Sequence, residues 1–165
     1  AAQLPYDDNT FDAIVSFETI EHSNDYAKIV AELCRVAKKN AAILISTPNT
    51  KIVSPKGIVE NPFHLKEFTY DELHKLLSSV FSDFQIYGQK YNRYSKKTFR
   101  NKIAFFTENL LLKRGIRKVP INAQDKLMKL LIGKPLYAEP EDFLLAERKS
   151  EAEKCTTFFA VCKKN

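Results

Sequence analysis

Tryptophan is absent from the 165 residues, methionine occurs once and glycine only four times. The four glycines, Gly57, Gly88, Gly115 and Gly133, stand far apart. This excludes, within the chain, a glycine-rich loop whose backbone amides would anchor a nucleotide at a helix N-terminus. The three cysteines, Cys34, Cys155 and Cys162, are odd in number and show no CxxC spacing. They make neither a disulfide framework nor a zinc cluster, and buried, reduced thiols are expected. No apolar run approaches the roughly 18 residues that span a bilayer. The first residues also lack the basic-then-apolar pattern of a leader. The expectation is a cytoplasmic chain of one domain, at most peripheral at the inner face of a membrane, and a hydrophobic fraction of 44% is ample for its core.

Acidic residues are scarce where bases are dense. Between Gln89 and Lys134, thirteen lysines and arginines stand against Glu108 and Asp125 alone, so that segment carries +11 and the remainder −5. A block of this kind steers anionic partners such as phosphorylated substrates, nucleic acid or an acidic membrane surface. It is equally the solvated face of an inserted helical hairpin.

Hydrophobic patterning places the elements. Phe11 to Phe17 is an apolar run suited to a parallel strand buried on both faces. Ser23, Asn24 and Asp25 offer N-caps to a helix with the stripe Ile29, Leu33, Val36 and Ala37. Lys38 and Lys39 suit its C-terminal end, and Asn40 its left-handed stop. Ala41 to Ser46 is a second strand without alternation, completing a βαβ unit. Thr69-Tyr70-Asp71-Glu72 spells a capping box opening a helix that buries Leu73, Leu76, Leu77 and Val80. Phe84 to Tyr87 and Thr156 to Val161 read as a third and a fourth strand. In the basic segment, Phe99, Ile103, Phe106 and Leu110 form one helical stripe, and Leu127, Leu130 and Leu131 another.

In open α/β sheets, ligands bind beyond the carboxyl ends of the parallel strands, near a switch in strand order. That rule puts Phe17 to His22 and Thr47 to Asn49 at the functional rim. Glu18, Glu21 and His22 fall at i, i+3 and i+4, so on one helical turn two carboxylates and an imidazole share a face. Oxygen and nitrogen donors of this type suit Mg²⁺ or Mn²⁺.

The run from Leu4-Pro5 through Phe11-Asp12-Ala13-Ile14-Val15-Ser16-Phe17-Glu18-Thr19-Ile20-Glu21-His22, followed by Ala41-Ala42-Ile43-Leu44-Ile45-Ser46-Thr47-Pro48-Asn49, resembles the second half of the class I S-adenosylmethionine-dependent methyltransferases. The resemblance implies an α/β fold: a partial Rossmann-like sheet made of strands 4, 5, 6 and 7 of the family order 3-2-1-4-5-7-6. A helical basic insertion at about residues 91–150 would precede the last strand. The family's opening strand and glycine-rich turn have no counterpart here, so residues 1–165 are expected to be one methyltransferase-like domain lacking its cofactor-binding N-terminal half. Such a chain alone would bind cofactor poorly or not at all. The strand Ala13 to Phe17 would then have an open edge, which self-association into a homodimer would cover. The family turn Pro-Gly-Gly is replaced by Lys39-Asn40-Ala41, predicting a less regular turn.

The resemblance also implies site residues. S-adenosylmethionine is the implied cofactor, with Ala1, Ala2, Leu4, Phe17 and Glu18 beside it, Ala1 matching the alanine of an Asp-Ala pair that contacts adenine. Glu18 and His22 are the implied catalytic residues. The Glu18-x-x-Glu21-His22 cluster is similar to the divalent-metal ligands of small-RNA 2′-O-methyltransferases and ubiquinone-pathway O-methyltransferases. His64, within Asn61-Pro62-Phe63-His64-Leu65-Lys66-Glu67-Phe68-Thr69, stands where the RNA group has a further histidine. The implied ligand set is Glu18, Glu21, His22 and His64, for Mg or Mn. Relatives also carry such a cluster without metal, Glu18 then holding the cofactor end and His22 packing or acting as a lone base. The Asn61 to Thr69 stretch also resembles bacterial methyltransferases acting on surface-polysaccharide sugars. Three functions follow as expectations: O-methylation of a sugar or glycan hydroxyl, with a phosphorylated or lipid-linked acceptor; RNA 2′-O-methylation, with the basic block on phosphates; or a non-catalytic interaction module.

Overall fold

The computed structural model describes residues 3–92, 102–103, 105–106, 120–135 and 137–165, with backbone alone at 131–132. The chain divides into two compact units, Ala1–Lys90 with Leu145–Asn165, and Tyr91–Leu144. In the first, β1 (Phe11–Phe17), α1 (Tyr26–Val36) and β2 (Ala37–Pro48) form the βαβ unit. A short helix α2 (Thr50–Val53), helix α3 (Tyr70–Ser78) and strand β3 (Asp83–Tyr91) follow. After the second unit come the short helix α5 (Lys149–Ala152) and strand β5 (Thr157–Lys163).

Among the described residues the sheet has the order β1-β2-β5-β3-β4, where β4 (Phe143–Ala146) spans the boundary between the units and was not foreseen in the sequence. β1 and β2 are parallel, with Val15 opposite Leu44, and β5 runs antiparallel to both β2 and β3. The first four strands of that order occupy the places expected of family strands 4, 5, 7 and 6.

Burial follows one face of the sheet. Ile43 and Ile45 of β2, Ile86 of β3, and Phe158, Ala160 and Cys162 of β5 share a cluster with Ile29, Val30 and Leu33 of α1 and Leu73, Leu76 and Leu77 of α3. On the opposite face Val15 is 58% and Phe17 48% exposed. β1 is therefore not buried on both faces, as its continuous apolar run predicted: its inward positions pack, while the residues between them meet solvent. Cys155 and Cys162 are buried and all three cysteines are free.

The helix following β1 ends earlier than its pattern suggested. Ala37 is already extended, at φ −72° and ψ 142°, and begins β2. Lys38, Lys39 and Asn40 accordingly belong to the strand and not to a helix end. Asn40 does adopt the left-handed conformation, at φ 65°, but inside an irregularity where the register jumps from Phe11 opposite Ala37 to Ala13 opposite Ala42. Its N–H donates to Lys164 O at 2.8 Å, so the extra residues find their partner in the chain's last strand region.

The Thr69 capping box forms in full, with Glu72 N–H donating to Thr69 Oγ1 and the Thr69 N–H to Glu72 Oε2. Val80 lies beyond the end of α3, packed against the core but only partly buried. In the second unit, α4 (Ile121–Ile132) stops at Gly133, whose φ of 75° is the left-handed cap. Among its described side chains Met128 and Gln124 are buried, whereas Leu127 is 40% and Leu130 77% exposed. Two of the three leucines read as a stripe from spacing, Leu127 and Leu130, are therefore exposed. The Leu131 side chain, Phe99, Leu110 and most of the basic block lie outside the described residues.

Among the described glycines, Gly88 is the one that packing demands. A Cβ there would stand 2.4 Å from Ala152 Cα and 2.8 Å from Cys155 Sγ. Backbone cannot yield as a flexible side chain does, so Gly88→Ala is expected to destabilise by at least about 1–3 kcal/mol, read as a lowered urea midpoint with unchanged slope.

Candidate functional site

The rim beyond β1 and β2 is built from a strained residue and a short helical turn. Glu18 follows the last residue of β1 at φ 48°, a conformation uncommon outside glycine and concentrated at functional positions. Its N–H donates to Ser46 O at 3.1 Å, and its Oε1 accepts from Ser46 Oγ at 2.8 Å. Strand β2 thus holds both ends of Glu18. Residues Ile20–His22 then form a 3₁₀ turn, so Glu18, Glu21 and His22 do not lie on a common helical turn as their spacing suggested.

Glu21 has no exposure. Its Oε2 accepts from Thr47 Oγ1 at 3.0 Å, and its carbonyl accepts from the N–H groups of Leu65 and Lys66 at 2.7 and 3.1 Å. Among the described residues its Oε1 has no hydrogen-bond partner, and it lies 3.9 Å from His22 Nε2, beyond bonding distance. His22 Nδ1 is 2.8 Å from Phe63 O, which accepts, so Nδ1 carries the proton and Nε2 keeps its lone pair. The His22 and His64 rings meet edge to face with centroids 4.9 Å apart.

Ligand atoms of Glu21, His22 and His64 all lie within 4.8 Å of one another. This is the set of three that the structure brings together. Glu18, counted with them from the sequence, stands beside the group on Ser46. An uncompensated buried carboxylate oxygen next to two imidazoles is what a divalent cation would neutralise. By that measure the donors fit a metal.

Leu4 is tied into the scaffold: its N–H donates to Glu32 Oε2 at 2.9 Å and its carbonyl accepts from Arg35 Nη2 at 3.2 Å. Arg35 and the Leu4 amide hold the Glu32 carboxyl down at about 2. An open recess of about 770 Å³ lies beside this network, lined by residues such as Leu4, Tyr6, Glu32 and Arg35 and by none of the rim carboxylates or histidines. Phe17 is half-exposed with its ring 5.4 Å from that of Phe159. Ala1 and Ala2 lie outside the described residues.

Sequence reasoning placed Thr47 at the rim without a partner, passed over Ser46, and gave no role to Asn61 and Glu67. The last two flank His64 at i−3 and i+3, both within hydrogen-bond reach of its ring. That symmetric spacing is the signal that was available.

Burial of the Glu18 carboxylate raises its pKa, against the Ser46 hydroxyl and the nearby histidines, which lower it. A raised folded-state pKa means the folded chain binds the proton more tightly than the unfolded chain, so stability falls as pH climbs through that range. Glu18→Gln is therefore expected to gain stability relative to the parent at pH 7 and to lose that gain below the ordinary carboxylate range. Urea unfolding at the two pH values measures it.

A sequence profile of the family described as Methyltransferase domain matches residues 1–45. A protein of Mycobacterium tuberculosis named as a probable S-adenosylmethionine-dependent methyltransferase is 42% identical over 77 residues, 46% of this chain and 28% of its own length. A like-named protein of Mycolicibacterium smegmatis is 40% identical over 80 residues, 48% of this chain and 31% of its own. The chain spans under a third of the length of these curated relatives. Among solved structures, a SAM-dependent methyltransferase of Thermotoga maritima superposes with a TM-score of 0.59 at 14% identity, covering 99% of this chain and 61% of that one. Residues 1–45 therefore resemble a methyltransferase domain in sequence, and the chain shares the α/β fold of a solved SAM-dependent methyltransferase.

Proposed function

We propose that this chain is part of an enzyme that transfers a methyl group from S-adenosylmethionine to a hydroxyl of a sugar or glycan intermediate, with Glu21, His22 and His64 holding Mg²⁺ or Mn²⁺. The observation that carries the reading is Glu21 Oε1, fully buried, unpaired and facing His22 Nε2. The resemblance of the Asn61 to Thr69 stretch to polysaccharide-modifying relatives supports the sugar.

When bound, the cofactor supplies an electrophilic methyl on a sulfonium, and a divalent cation lowers the pKa of the acceptor hydroxyl. In the transfer the S–CH₃ bond breaks as the O–CH₃ bond forms, and the hydroxyl proton goes to a base of the chain. Glu18 suits that task, because its carboxylate has a raised proton affinity and is held in place by Ser46. With no cation bound, the free Nε2 of His22 takes the same role. Phe17, half-exposed at the end of β1, would form part of the cofactor wall. Leu4, whose N–H and carbonyl are already engaged, would give it shape only.

Mn²⁺ titration followed by electron paramagnetic resonance tests the metal. One ion per chain is expected, with Glu21→Gln and His64→Ala each weakening it by at least about tenfold, the scale reached even by outer-shell changes. A parent chain silent to Mn²⁺ overturns this part of the reading. The acceptor class is tested by methyl transfer from labelled cofactor to glycan intermediates with the full-length protein.

We also propose that a second copy covers the open edge of β1, the first strand in the sheet order among the described residues. A strictly monomeric sedimentation profile would count against it.

A further inference from the structure

The His64 ring is held at both nitrogens. Its Nδ1 lies 2.8 Å from Glu67 Oε1, a buried carboxylate oxygen that accepts, so Nδ1 carries the proton and Nε2 the lone pair. That lone pair is already engaged, with Asn61 Nδ2 at 2.8 Å. The amide has a fixed sense, because Asn61 Oδ1 accepts from the Phe63 N–H at 3.0 Å and leaves Nδ2 for the ring. His22 differs: its Nδ1 is anchored on Phe63 O, while its Nε2 faces the orphaned Glu21 Oε1. Two of the three grouped donors are open, and the third is latched.

We infer that Asn61 and Glu67 are positioning residues acting in opposite senses on His64. Glu67 turns the ring so that Nε2 is the acceptor, and Asn61 occupies that acceptor until a cation displaces it. Nε2 has one in-plane lone pair, so the Asn61 hydrogen bond and a metal bond exclude each other. Cation entry is an exchange at His64, with the freed amide turning away while the carboxylate–imidazole pair stays as the outer support of the ligand. The inference rests on the metal reading above. It adds that the chain resists the ion with a group of its own, so that binding is weaker than the donor set alone would give.

The test is Mn²⁺ affinity, by electron paramagnetic resonance, of the parent, Asn61→Ala and Glu67→Gln. Removing the competitor in Asn61→Ala is expected to tighten binding by about three- to tenfold, the range set by one ordinary hydrogen bond. Glu67→Gln is expected to weaken it by about tenfold. A merely structural asparagine would not tighten binding when removed. Asn61→Asp keeps the acceptor for the Phe63 N–H while deleting the donor; because its carboxylate itself attracts the ion, its readout is the Nε2 resonance without metal, which serves if the alanine variant does not fold. Nitrogen–proton correlation of the His64 ring, recorded without metal, gives this second readout: the Nε2 resonance should move downfield in either Asn61 variant. Parent binding with no tightening in Asn61→Ala or, where that variant does not fold, with an unmoved Nε2 resonance in Asn61→Asp overturns the inference and leaves the metal site standing. Silence in all of them, with an unmoved Nε2 resonance, overturns both.

Discussion

One buried carboxylate holds the carboxyl end of the sheet together. Glu21 has no exposure, and its bonds reach two other parts of the chain: the end of β2 through Thr47 Oγ1, and the loop before α3 through its own carbonyl and the amides of Leu65 and Lys66. Taking a carboxylate out of water is costly unless it is paired and hydrogen-bonded. One of its oxygens is satisfied and the other is not. The rim therefore keeps an uncompensated negative oxygen at the place where two histidines converge.

The scaffold makes that arrangement affordable by placing it at strand ends. β1 delivers Phe17 and then turns sharply at Glu18, whose left-handed backbone is secured on Ser46 of the neighbouring strand. β2 ends on Thr47 and Pro48, and Asn49 follows as the N-cap of α2. Asn49 in turn donates to the carbonyls of Glu153 and Cys155 ahead of β5. Each group at the rim is thus fixed by an element that the core has already positioned, from Ile43 and Ile45 in β2 to Phe158 in β5. Core and site are coupled through the register of these strands, and slipping it by one residue would turn Thr47 away from Glu21.

Elements whose signals are local were legible in the sequence. The Thr69 to Glu72 box needs four consecutive residues and formed as written. The β1–α1–β2 unit was legible because its apolar runs and helical stripe are short-range patterns. Where the reading failed, a partner remote in sequence decided the outcome. Asn40 has the conformational tolerance expected of a helix stop, but Lys164 receives it in a strand irregularity. Leu127 and Leu130 obey a helical stripe, yet among the described side chains of α4 it is Met128 and Gln124 that are withdrawn from solvent. Periodicity shows that a helix has faces, and tertiary contacts choose among them.

By itself the sequence determined the strands β1, β2, β3 and β5 and the helices α1 and α3, though not β4, and the resemblance it carries set the order of those four strands and named four residues to watch at the rim. Hydrophobic periodicity and capping act between residues a few positions apart, and the resemblance supplied the strand order. Only the tertiary structure decided that Glu18 is separated from Glu21 by a strained turn, that Glu21 is left with one unpaired oxygen, and that Asn61 and Glu67 hold His64 between them. Those outcomes depend on loops more than forty positions apart in the chain meeting at one point, a proximity set by sheet register and loop closure that no local pattern records.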